Sequence, residues 1–141
     1  ALKCVDNKSA VEQINLFAEK LELDEFFKKK MGTFSGGMKQ RTLLIATLLG
    51  DPSLIILDEP TAGLDPKQRI IMKNIIKELS KDKIILISTH IISDIENIAS
   101  KILLLKDGKL IDSGSVSELI EKCRFSEKNL ENLYMQYYGD L

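Results

Sequence analysis

Two stretches of this chain put residue types together in ways that only certain chemistry needs. In Gly32 to Arg41, "GTFSGGMKQR", a serine and two adjacent glycines stand where an apolar, helix-like run begins. Glycine costs a helix interior about 1 kcal/mol relative to alanine, so a pair at a helix start calls for a reason. The first turn of a helix carries unpaired amide N–H groups and a partial positive charge. Glycine lets an anion approach those amides, and a serine hydroxyl can donate one more bond. Ser35, Gly36 and Gly37 therefore suit something phosphate-like, although a plain tight turn before a helix satisfies the same residues.

The second stretch, "LIILDEP", ends an apolar run with Asp58 and Glu59 side by side. Ligands in open α/β sheets sit at the carboxyl ends of strands. Two carboxylates there can hold Mg²⁺ through water and orient an attacking water. A helix-capping Asp beside a surface Glu is the plainer alternative. The next apolar run also ends polar, in Ser88, Thr89 and His90, the only histidine of the chain. At the tip of a neighbouring parallel strand it can reach the ligand of Asp58 and Glu59.

The elements that must position these groups follow from periodicity. "KSAVEQINLFAEKLEL", residues 8 to 23, places Val11, Ile14, Phe17, Ala18 and Leu21 at helical spacing. A charged connector with Phe26, Phe27 and Met31 leads to the glycine pair, and the helix after it ends at Gly50 with Pro52 beyond. "SLIILDEP" and "KIILISTH" are continuous apolar runs, as expected of strands buried on both faces. Between them "DPKQRIIMKNIIKELSK" reads as an amphipathic helix with Asp65 as cap and Pro66 in its first turn. A helix over 91–99, "IISDIENIA", follows the second strand, and this alternation predicts a parallel α/β sheet. "KILLLKDGKLIDSG" reads as a hairpin turning at Asp107-Gly108. Ser115 with Glu118 forms a capping box, and the tail "FSEKNLENLYMQYYGDL" reads as helical and aromatic.

Composition bounds the rest. The chain has 141 residues, 44% hydrophobic and 29% charged, with a formal net charge of −1. That is an ordinary globular balance with no bulk field toward nucleic acid or anionic lipid. The only basic run, Lys28 to Lys30, reads as a solvated loop. Cys4 and Cys123 form no CxxC pair, and with one histidine they make no metal site; a reduced, cytoplasmic chain is the simplest reading. No apolar run approaches the roughly 18 residues of a membrane span. The chain opens on Ala1 in polar sequence, which reads as a fragment.

"FSGGMKQR", "LIILDEPTAGLDP" and "ISTH", in this order and spacing, resemble the nucleotide-binding domain of ATP-binding-cassette (ABC) transporters over nearly the whole chain. The resemblance implies an α/β fold, a three-layer P-loop NTPase-like parallel sheet that is incomplete for want of the Walker A strand, with part of the ABC helical subdomain at the N-terminus. It divides the chain into a helical subdomain portion (1–50), the C-terminal part of the ATPase core (51–113) and a helical tail (114–141). It implies ATP and Mg²⁺ as cofactors. Ser35, Gly36, Gly37 and Met38 resemble the signature motif that contacts the γ-phosphate of ATP held by a partner subunit. Leu54 to Asp58 resemble the Walker B strand, with Asp58 on the Mg²⁺ side, and Glu59 matches the carboxylate that polarises the attacking water. Ala62 to Asp65 resemble the D-loop linking two sites across a dimer, and His90 matches the switch histidine. Implied partners are a second nucleotide-binding domain, head to tail, and a transmembrane permease that holds the protein on the inner face of the cell membrane; no nucleic acid is implied.

Phe34 and Met38 replace the leucine and glutamine usual in that signature, and Phe34 reads as packing. This form, with a divergent tail, looks most like exporters of peptide antibiotics and related drugs. A P-loop, GxxxxGK[ST], does not occur in these residues: Gly108-Lys109 has no glycine five residues before it and no Ser or Thr after it. The chain alone is therefore expected neither to bind ATP tightly nor to hydrolyse it. In the family's sheet order the P-loop strand lies between "KIILISTH" and "KILLLKDGK", so the isolated chain is expected to pair with another copy or to close that gap. Two other readings are a non-transport ABC ATPase, such as a translation or DNA-repair factor, and a truncated cassette acting by contact alone.

Overall fold

A computed structural model describes residues 6–23, 25 and 29–139. Cys4, Phe26, Phe27 and Lys28, singled out above, lie outside the described residues. The described residues form two compact units, divided between Thr89 and His90.

The first unit opens with helix α1, Asn7–Lys20, capped by Asp6, whose carboxylate accepts from the amides of Lys8 and Ser9. It stops three residues short of the periodicity: Leu21 is its C-cap and Glu22 turns left-handed at φ 53°. Helix α2, Gly36–Leu48, starts at the glycine pair with Ser35 as N-cap. Strand β1, Leu54–Asp58, leads to helix α3, Pro66–Leu79, whose cap is Asp65 and whose first residue is the proline. Strand β2, Ile84–Ser88, pairs with β1 in parallel from Leu54↔Ile84 to Asp58↔Ser88. The core of this unit holds Ala18, Leu21, Leu44, Ile45, Leu48, Ile55, Leu64, Met72 and Ile76.

The strands are not buried on both faces. Ile55 is buried, but Leu54, Ile56, Ile84 and Leu86 are 50 to 69% exposed. Side chains alternate along a strand, so the four share one face, and that face of the two-stranded sheet meets solvent. A continuous apolar run reads the same whether one face or both are covered, and here one is.

In the second unit the helix expected over 91–99 is a single turn, α4, Ile92–Ile95. Ile91 at its N-cap offers no side-chain bond. The residues that follow, β-branched isoleucines with Ser, Asp and Asn, are poor helix formers. Strands β3, Ile102–Lys106, and β4, Lys109–Gly114, form a separate antiparallel hairpin. Asp107 and Gly108 both have positive φ, 51° and 72°, as a two-residue hairpin turn requires. Register slips between Leu104 and Leu105, where Ile111 of β4 is the extra residue of a bulge. Helix α5, Val116–Glu121, carries the complete Ser115/Glu118 capping box, and α6, Leu130–Tyr138, is capped by Asn129. Ile102, Leu119, Cys123, Leu130 and Leu133 form the core here, and Tyr134 stacks on Tyr138 at 4.3 Å. Among the described residues no helix is long and apolar enough to cross a membrane.

Candidate functional site

The first unit assembles the candidate groups on the ends of α2 and β1 and the start of α3. Ser35 has extended backbone and its Oγ accepts the Met38 amide at 3.3 Å. A hydroxyl that accepts one bond keeps its own hydrogen to donate. Nothing stands within 4 Å of where a Cβ on Gly36 would lie, so the space beside that residue is open. Gly37 differs. A Cβ there would fall 1.8 Å from Oε1 of Gln68, so α3 lays its Gln68 amide directly on the helix start. Close packing between helices, as well as any anion, thus accounts for the second glycine. Met38 and Phe34 are half-buried.

Arg41, buried in the unit, holds this helix start in place. It donates to the Leu21 carbonyl at 2.7 Å and to the Gly37 carbonyl at 3.4 Å, tying the end of α1 to the first turn of α2.

At the strand tip, Asp58 and Ser88 are register partners, and the Ser88 hydroxyl donates to the Asp58 carboxylate. Glu59 then leaves the strand with φ 46°. A non-glycine residue in that region costs about 1 kcal/mol or more, and such residues persist where the surroundings over-determine them. They do here. The Glu59 amide donates to Ser88 O at 2.9 Å. Its carbonyl accepts from the Ala62 amide at 3.1 Å and from Gln40 Nε2 at 3.3 Å. Its carboxylate accepts from Thr89 Oγ1 at 3.2 Å.

Asp65 caps α3 by accepting the Gln68 amide at 2.9 Å, after Gly63 has turned the chain at φ 71°. His90 follows Thr89 as the first residue of the second unit. The structure therefore joins α2 to Glu59 through Gln40, α2 to α3 through Gln68, and both strand-tip carboxylates to hydroxyls of β2's end.

Mg²⁺ takes oxygen donors and is held by one or two carboxylates together with waters and phosphate, not by an all-protein cage. Asp58 and Glu59, with the Ser88 hydroxyl on Asp58, are a donor set of that kind. No cluster of three or more metal-ligating side chains occurs among the described residues. The open first turn at Gly36 suits a phosphate oxygen. The residues present fit MgATP.

Gln40, Gln68 and Thr89 were not legible as site residues in the sequence. The one signal for Gln40 is its spacing, one helical turn past Gly36 and so on the same face.

Residues 2–62 match the family model for ABC transporters. The chain is 36% identical over 118 residues to the uncharacterised ABC transporter ATP-binding protein YxlF of Bacillus subtilis, covering 84% of this chain and 40% of that one. It superposes on the ATP-binding subunit of an ABC transporter with a TM-score of 0.79 at 25% identity, over 94% of this chain and 56% of that one. The ADP conformation of MJ1267, an ATP-binding cassette of an ABC transporter, gives a TM-score of 0.74 at 25% identity, over 96% and 52%. The chain thus spans about half the length of these solved relatives, and less of YxlF.

Proposed function

We propose that this chain, similar in sequence and fold to ABC transporter ATP-binding domains, is the C-terminal part of such a domain and supplies the carboxylate that activates water for ATP hydrolysis. The observation that carries the reading is Glu59: a carboxylate at the carboxyl end of a parallel strand, beside Asp58, held in a strained backbone by bonds on its amide, carbonyl and side chain.

Bound MgATP supplies the phosphoryl group and the cation's charge. Asp58, oriented by the Ser88 hydroxyl, holds the cation side. Glu59 accepts a hydrogen bond from the attacking water and draws its proton. His90 donates toward the γ-phosphate, where negative charge must be stabilised. The first turn of α2, with Ser35, Gly36, Gly37 and Met38, receives the phosphate of an ATP held by a second nucleotide-binding domain packed head to tail, and Asp65 lies at the link between the two sites. A transmembrane permease subunit holds the assembly on the inner face of the membrane and uses the cycle for transport. Export of a peptide antibiotic or drug rests on the look of "GTFSGGMKQR" and the divergent tail alone. With no GxxxxGK[ST] in its sequence, the 141-residue chain by itself neither binds ATP tightly nor hydrolyses it.

Glu59→Gln in the full-length protein is the test. Turnover should fall by about a hundredfold or more, the usual weight of a general base, while ATP binding is retained. Unchanged turnover removes Glu59 from this role. The missing P-loop sequence favours a second reading, a non-catalytic module acting by contact, and ATP turnover by the unmodified full-length protein overturns it.

A further inference from the structure

We propose that Gln40 is a positioning residue for Glu59, coupling the carboxylate to the helix that begins at the glycine pair; the inference rests on the ATPase reading of the site.

Glu59 must turn at once on leaving β1, and the direction of that turn decides where its carboxylate points. At φ 46° the backbone sits in a region that a side chain disfavours, so outside bonds must hold it there. Two of them are backbone–backbone bonds, one to β2 and one within the turn. The Glu59 amide extends the strand ladder to Ser88 O at 2.9 Å, and the Ala62 amide closes a tight turn onto the Glu59 carbonyl at 3.1 Å.

Gln40 is different in kind. It lies 19 residues away in sequence, on α2, and its Nε2 donates to the second lone pair of the same carbonyl at 3.3 Å, in partly buried surroundings. A carbonyl has two acceptor positions, and Gln40 with Ala62 fills both. Since only the N–H end of an amide can pair with a carbonyl, the contact also fixes the orientation of the Gln40 side chain.

The helix end of this link is firm. Arg41, next to Gln40, binds the Leu21 and Gly37 carbonyls, and Gln68 of α3 rests on Gly37. Gln40 stands one turn beyond Gly36, so a displacement of the first turn of α2 reaches the Glu59 turn through one side chain. Its side-chain amide reaches the Glu59 backbone, and it acts through Glu59.

Gln40→Ala and the isosteric Gln40→Glu, which at neutral pH brings no N–H, test this in the full-length protein. Two readouts are taken beside the wild type: ATP turnover, split into kcat and KM, and hydrogen exchange of the Ala62 amide. The expected result for both variants is a kcat lower by about tenfold with KM for MgATP nearly unchanged, the pattern of a lost transition-state arrangement, together with exchange faster by a similar factor. Faster exchange with unchanged kcat makes Gln40 a structural residue and overturns the proposal, as do two unchanged readouts. Slower turnover with a parallel rise in KM moves the role to nucleotide binding and also overturns it. If the wild type itself shows no turnover, the ATPase reading fails in the control and the proposal falls with it, whatever the exchange data give.

Discussion

The Glu59 amide donates to the carbonyl of Ser88 at 2.9 Å, one residue beyond the last register pair of β1 and β2. The parallel ladder therefore continues through a residue whose φ has already turned to 46°. Strand pairing and turn share one residue. Glu59→Gln leaves that backbone bond alone and keeps a side-chain oxygen for Thr89, so its stability should stay within about 0.5 kcal/mol of wild type. A thermal melt of the variant that kills turnover checks this, and a larger loss means its lost activity reflects unfolding.

Gly37 and Gln68 give a prediction that separates packing from ligand approach. Gly37→Ala alone forces the Gln68 amide aside, because the new methyl would lie 1.8 Å from Oε1. In a Gln68→Ala background that conflict is gone and the helix propensity of alanine remains. There Gly37→Ala should stabilise the chain by up to about 1 kcal/mol, measured by urea melts. A double variant less stable than Gln68→Ala refutes the packing account of Gly37.

The second unit should be acid-sensitive through Asp112. The Lys122 ammonium, donating at 2.6 Å, and next the Tyr137 hydroxyl at 2.8 Å hold the Asp112 carboxyl below its ordinary range. A carboxylate whose folded value is depressed stabilises the fold above its unfolded value and loses that contribution as pH falls through the folded one. The stabilisation is thus complete at neutral pH and fades below the usual carboxylate range. Asp112→Asn should lower the urea midpoint at neutral pH and shrink the difference between neutral and acid midpoints. An undiminished difference assigns the acid sensitivity to other groups.

Among the described residues β1 and β2 form a sheet of two strands, each with an edge beside which no described strand lies, and one sheet face is apolar and exposed. The 141-residue chain should sediment as dimers or larger species at micromolar concentration, and Leu86→Lys should shift it toward monomer. Clean monomeric sedimentation of the unaltered chain overturns this.

Features carried by neighbouring residues were legible in the sequence, and features made by distant ones were not. Asp65 and Pro66 announce the start of α3, and Asp107-Gly108 the hairpin, because cap and turn chemistry acts over two or three residues. The glycine pair announced a helix start for the same reason. The bond from Gln40 to Glu59 and the seat of Gln68 on Gly37 span 19 and 31 residues, and no local pattern encodes which amide meets which carbonyl. Residues 91–99 misled because their spacing is helical while their side chains favour other backbone. "LIILD" and "IILIS" misled on burial because apolar residues on an uncovered face are written with the same letters as those in a core.

The bare face of Leu54, Ile56, Ile84 and Leu86 has a calorimetric consequence. Side chains that already meet water over half or more of their surface in the folded state add less to the heat-capacity increase on unfolding, which tracks newly wetted apolar area. The chain should therefore unfold with a heat-capacity step below the usual value for its length, about 12–15 cal/mol/K per residue. Whatever covers that face restores the missing part, and its binding carries a negative heat-capacity change as its thermal signature.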